Sequence, residues 1–160
     1  MGFFKNKDKS INCLVVDGLP NYPKNTILQL NLNNESECLV ISSKMYKNHP
    51  DVNLRYEQIV AANVITEQEI VQQSKSVIGR AAVGGVVLGS LGAIIGGLSG
   101  TGTKTNNQTE YYIVINYKSR ELELKILSFK ITGFSNWKAF IKELQSKINT
   151  NQSFEKEIYL

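Results

Sequence analysis

Between Arg80 and Lys104 no residue is charged, and eight of the chain's twelve glycines fall in that stretch. Each glycine costs a water-exposed helix about 1 kcal/mol relative to alanine, so this segment cannot stand alone as a helix in water. Its large aliphatics need a cover. On a wheel of about 100° per residue, Ala81, Ala82, Gly85, Gly89, Gly92, Gly96, Ser99 and Gly100 share one face. Val83, Val87, Leu88, Leu91, Ile94, Ile95 and Leu98 share the opposite one. The separation predicts a helix, or a helical hairpin bending near Gly89-Ser90. Its small-residue stripe, Gly85-x-x-x-Gly89 and Gly92-x-x-x-Gly96-x-x-x-Gly100, would admit a second helix to backbone contact.

About 20 helical residues span about 30 Å, the thickness of a bilayer core. Strands on both sides of the segment belong to one sheet, however, so the segment must return to the side it started from. A same-side insertion satisfies both requirements, with Lys75, Arg80 and Lys104 as candidate contacts to anionic lipid. Lys5, Lys7, Lys9, Lys44 and Lys47 would extend that basic surface. The competing arrangement lays the segment over its own sheet in water, or against a second copy.

The rest of the chain reads mainly as strands. Residues 11–16 form an apolar run ended by Asp17-Gly18-Leu19-Pro20, and residues 26–32 alternate, with Leu28, Leu30 and Leu32 on one face. Residues 38–42 follow a polar turn. Residues 59–66 are rich in β-branched side chains with no helix cap in view, which favours a strand. YYIVINY (111–117) and ELELKILSF (121–129) make a hairpin around Lys118-Ser119-Arg120. Trp137, Phe140, Ile141, Leu144 and Ile148 recur at helical spacing behind Ser135, a candidate N-cap, and the period is lost from Asn149.

Six or seven strands followed by one amphipathic helix resemble the bacterial pleckstrin-homology-like (PH-like, GRAM-like) domains. YYIVINY, ELELKILSF and SNWKAFIKELQSKI carry the likeness, over about residues 10–148. The resemblance implies an α+β, mainly β fold, an antiparallel sheet or barrel closed by the C-terminal helix, with the Gly-rich helix or hairpin inserted. The domains expected are an N-terminal arm at 1–9, a PH-like body at 10–149 interrupted by the zipper at 77–104, and a tail at 150–160. The family's lipid-binding basic residues lie in variable loops, and no position here matches a motif that would carry them over.

Catalysis finds little footing. Gly97-Leu98-Ser99-Gly100-Thr101-Gly102-Thr103-Lys104 is one residue out of register with a phosphate-binding loop and leads into a strand rather than a helix. The single histidine, His49, reads as a solvated loop residue, and Glu67 with Glu69, like Glu121 with Glu123, as the wet face of a strand. No cofactor, metal or nucleic-acid partner is expected. Cys13 and Cys38 read as reduced core residues, and the opening MGFFKNKDK leads into no apolar run of signal-peptide length, so the cytoplasm, with access to the inner face of the membrane, is expected. A net charge of +4 is compatible with an anionic surface without requiring one. The function expected is a non-enzymatic binding module, membrane-associated or self-associating through Ala81, Gly85, Gly89, Gly92, Gly96 and Gly100, with Val83, Val87, Leu91, Ile94 and Leu98 as its aliphatic face. The alternative is a soluble effector that binds a partner protein or sequesters a small ligand.

Overall fold

Alternating apolar residues need one face covered, and the strands meet that need by pairing into one sheet. The structure, a computed structural model, describes residues 9–74, 82, 83, 85–99, 108–133 and 135–156. In chain order it has β1 (Ser10–Asp17), β2 (Ile27–Asn33), β3 (Cys38–Ser42), β4 (Val52–Arg55), β5 (Ile59–Thr66) and α1 (Glu67–Ser74). There follow β6 (Ala82–Val83), β7 (Val86–Val87), α2 (Leu91–Ser99), β8 (Tyr111–Lys118), β9 (Leu124–Ile131) and α3 (Trp137–Lys156). Seven strands form an antiparallel sheet in the order β4-β3-β2-β1-β9-β8-β5, and β6 and β7 form a separate two-stranded ladder.

The strands of the main sheet match those expected, with β4 added: Val52–Arg55 pairs with β3 although its polar approach hid it. The expected barrel is not closed. The outer strands β4 and β5 do not pair with each other, and the chain passes between them through a 3-10 turn at Tyr56–Gln58. α3 lies against β5 and this turn, where Gln145 Nε2 donates to the Ala62 carbonyl at 2.9 Å. A helix donating to an outer strand takes the place of the neighbour that would have closed the barrel.

Several boundaries move for identifiable reasons. Glu67 and Glu69 lie in α1, not on a strand: Thr66 N–H and Oγ both donate to Glu69 Oε2, at 2.8 and 2.9 Å, and Glu69 N–H donates to Thr66 Oγ. That is a capping box, which starts a helix directly at the end of β5. Glu121 and Glu123 belong to the turn before β9, closed by Ser119 N–H to the Glu123 carbonyl at 2.9 Å. Asn136, not Ser135, caps α3, its Oδ1 accepting from Ala139 N–H at 3.4 Å. The expected tail is helical as far as Lys156.

The main core lies on the inner face of the sheet, where Leu30, Leu39, Ile41, Ile113, Ile115 and Phe129 meet Phe140, Ile141, Leu144 and Ile148 of α3. A second cluster covers the outer face, joining Ile65, Tyr112 and Val114 of the sheet to Ile70 of α1 and to Val86, Leu88, Leu91 and Ile95. β8 is thus buried on both sides, which is why residues 111–115 are apolar without alternation.

Two measurements check this packing. Phe140→Ala, a ring with no exposed area, should lose about 3–5 kcal/mol in denaturant unfolding, whereas half-buried Trp137, tilted against Tyr111 at 5.0 Å between ring centres, should lose less. Burial, then the charges of neighbouring acidic groups, pushes the Tyr56 hydroxyl from 10.0 up to about 12. A folded pKa above the unfolded one means that stability is full below pH 10 and falls as pH rises towards about 12. Tyr56→Phe should lose less stability than the parent across that window, and coincident alkaline profiles would show that the hydroxyl plays no part.

Candidate functional site

The Gly-rich insert is rooted between two adjacent strands. β5 and β8 pair from Ile59↔Tyr117 to Thr66↔Tyr111, and Glu67 N–H then donates to the Glu110 carbonyl at 3.0 Å. The side chain of Glu110 ties the same corner, taking Tyr112 OH at 2.9 Å and Lys130 Nζ at 2.8 Å. Burial raises the Tyr112 hydroxyl well above its ordinary value, with Glu110 adding to the effect, so the phenol stays a donor. Both ends of the insert therefore leave from one corner of one sheet, as the sheet argument from sequence requires.

The insert does not form the continuous helix that its wheel suggested. Val83 lies in β6 and Val87 in β7, joined by a turn through Gly85, and among the described residues of the insert Leu91–Ser99 is the helical part. Gly85 and Gly89 have φ of 82° and 54°, conformations open to glycine that a right-handed helix cannot use. Leu91 and Gly92 are buried and Ile94 half-buried, because α2 lies beside α1 and over the sheet. Gly96 and Leu98 lie in α2. Ala81, Gly100, Lys75, Arg80 and Lys104 fall outside the described residues.

One polar pair fixes where the insert sits. Val87 N–H donates to Asn116 Oδ1 at 2.6 Å, and Asn116 Nδ2 donates to the Val87 carbonyl at 2.9 Å. Asn116 is 2% exposed and follows Tyr112 and Val114 on the outer face of β8. Its primary amide offers one acceptor and one donor as a peptide unit does, so it pairs with a strand residue as a neighbouring strand would. Sequence reasoning passed over Asn116, although a lone amide inside YYIVINY was the available signal.

A second feature gathers at the end of β1. Asp17 of β1 lies opposite Ser128 of β9, so the loop at 18–26 leaves beside the start of β9. On that loop Tyr22 meets Tyr46 and His49 at 6.2 and 5.2 Å between ring centres and donates its hydroxyl to the Pro50 carbonyl. His49 is therefore not a solvated loop residue: it is half-buried, stacked on Tyr46 at 5.1 Å, with a buried Nδ1 that has no hydrogen-bond partner. Met45 remains 71% and Tyr46 38% exposed, with exposed Lys44 and Lys47 on either side. The insert reaches the same end, since Ile126 lies under Gly89 with its Cδ1 and against Gly18 with its carbonyl.

A family model described as a glycine zipper containing PH domain matches residues 20–131. That span covers β2 to β9 and the whole insert. No curated protein matches the chain.

The crowding at Gly18 is testable. A Cβ there would collide with the Ile126 carbonyl oxygen, whereas one at Gly133, also at positive φ, would meet nothing within 4 Å. Gly133→Ala should show backbone strain alone, about 1 kcal/mol, and Gly18→Ala clearly more. Equal losses in urea unfolding would mean that β1 and β9 part easily at this end.

Proposed function

The chain belongs to the family of glycine-zipper-containing PH domains, and on that premise we propose that it is a non-enzymatic binding module whose loop end attaches to an anionic membrane surface. PH domains commonly bind lipids or proteins. The observation that carries the lipid reading is Lys44-Met45-Tyr46-Lys47: an exposed thioether and a half-exposed ring between two exposed lysines, on a loop stiffened by the Tyr22–Tyr46–His49 contacts. Large apolar side chains left in water beside cations suit a headgroup layer, where the lysines meet anionic lipid and the apolar tips pass beneath it.

Attachment of this kind needs no spanning segment. Among the described residues no helix is long and apolar enough to cross a membrane. The described zipper residues Val83, Val87, Leu91, Ile94 and Leu98, with Gly85, Gly89, Gly92 and Gly96, enter this reading as an apolar reserve. Lys75, Arg80 and Lys104 are its flanking cations.

Co-sedimentation with phosphatidylcholine vesicles, with and without phosphatidylserine, tests the reading. The parent should prefer the anionic vesicles and lose that preference as salt is raised. Each lysine near an anionic leaflet is worth about 1 kcal/mol, so Lys44→Gln with Lys47→Gln should weaken binding roughly 30-fold. Binding indifferent to phosphatidylserine and to both substitutions would sink the membrane reading and leave a protein partner as the better explanation.

A further inference from the structure

The family and the fold account for a sheet, a helix and an insert, but not for an amide buried in the most apolar strand of the chain. We propose that Asn116 is a latch that holds the Gly-rich insert against the sheet, so that the insert's aliphatic face becomes available to a lipid surface only when the Asn116–Val87 pair opens. The device rests on the membrane reading for its occupant, though not for its mechanism.

Three observations carry it. First, both hydrogen-bonding groups of the Asn116 amide are used, and both go to the backbone of one residue, Val87, at 2.6 and 2.9 Å. Side chains of similar shape cannot reproduce this: leucine has neither group, and an ionised aspartate keeps the acceptor but sets a second oxygen against the Val87 carbonyl. Second, the residues flanking Val87 are those the docked state hides. Val86 and Leu88 are buried, as are Leu91 and Ile95 further along. The pair sits among apolar groups, where an unmatched amide or carbonyl is costly, so it is open or closed as a unit. Third, the docked segment lies at the loop end, because Ile126 touches both Gly89 and Gly18. Opening the pair would free the aliphatics of 86–95, which are docked at the same end of the sheet as the loop proposed to meet the membrane.

The root of the insert supplies the other half of a switch. Glu67 N–H on the Glu110 carbonyl and the Thr66↔Tyr111 pairing stay closed when Val87 leaves Asn116, since they belong to the β5–β8 ladder. Opening at Val87 therefore leaves the sheet beneath it intact. Local opening of this kind has a lower free energy than unfolding of the main core.

Hydrogen exchange of the full chain reads the latch directly. In Asn116→Leu and in the isosteric Asn116→Asp, amides at Val86, Val87 and Leu88 should exchange about 10- to 100-fold faster, the loss expected for two buried hydrogen bonds, while β1 to β3 keep their protection. Val87→Pro, which removes the donor outside the seven-stranded sheet, should speed exchange at Val86 and Leu88 alike and stands in should an Asn116 variant fail to fold. Co-sedimentation with phosphatidylcholine–phosphatidylserine vesicles should rise about tenfold for Asn116→Asp, the partitioning of three large aliphatics. Unchanged exchange in the insert overturns the latch, and so does faster exchange spread evenly over β1 to β3, which would make Asn116 an ordinary core residue. An insert freed in exchange with no gain on vesicles, or with a gain only in dimer by sedimentation, overturns release to lipid. The membrane reading fails separately, if the parent ignores anionic lipid and the Lys44→Gln, Lys47→Gln pair changes nothing while the exchange pattern holds.

Discussion

β8 is buried on both faces, and most of the architecture follows from that. Its inward residues Ile113 and Ile115 require the core that α3 completes, and its outward residues Tyr112 and Val114 require a second cover. A sheet in which β8 had only the first cover would expose a stripe running from Val16 across Tyr112 and Val114 to Ile65. Apolar stripes of that kind invite association between molecules. The insert removes the stripe from water and has its own aliphatics removed in the same step. The two surfaces are each other's cover.

The ladder between β5 and β8 sets the limits on what the insert can do. Because its ends leave from paired residues, Thr66 and Tyr111, they stand one strand spacing apart, about 4.8 Å. A segment so rooted cannot place its two ends on opposite sides of a bilayer while the sheet is folded. It can lie on the sheet or swing out from the corner. α1 favours the first: its capping box starts the helix at once, turning the chain over the outer face, where Ile70 joins the second cluster. Local hydrogen bonding thus aims the insert over the outer face.

Much of this was legible in the residues. Alternation in 26–32 and the β-branched run 59–66 located β2 and β5, and the stripe from Trp137 to Ile148 located α3 and its buried side. What misled was a pattern right in composition and wrong in period. Small and large residues alternate in 81–100 at a spacing that a wheel reads as helix, yet Gly85 and Gly89 adopt positive φ and split the run into a hairpin and a short helix. A wheel counts faces and is blind to φ. The capping box Thr66-x-x-Glu69 was present in the sequence and overlooked, because the strand ending at Thr66 hid the helix starting there. β4 is four residues long, too short for a period to show. The pairing of Asn116 with Val87 joins positions far apart in sequence, and only the lone amide in YYIVINY hinted at it.

The use of glycine and the use of Asn116 are two sides of one balance. A glycine-rich segment loses more conformational freedom on docking than any other, so burying Val86, Leu88, Leu91 and Ile95 is opposed by an unusually large ordering cost. The aliphatics alone also specify no position, since apolar contact is non-directional and a flexible segment could settle on the stripe in several ways. A paired amide changes both conditions. It is satisfied when a backbone N–H and C=O lie opposite Asn116, as those of Val87 do, and a register that misses it leaves a buried donor and acceptor unmatched. A cover specified in this way protects β8 by keeping Tyr112 and Val114 out of water.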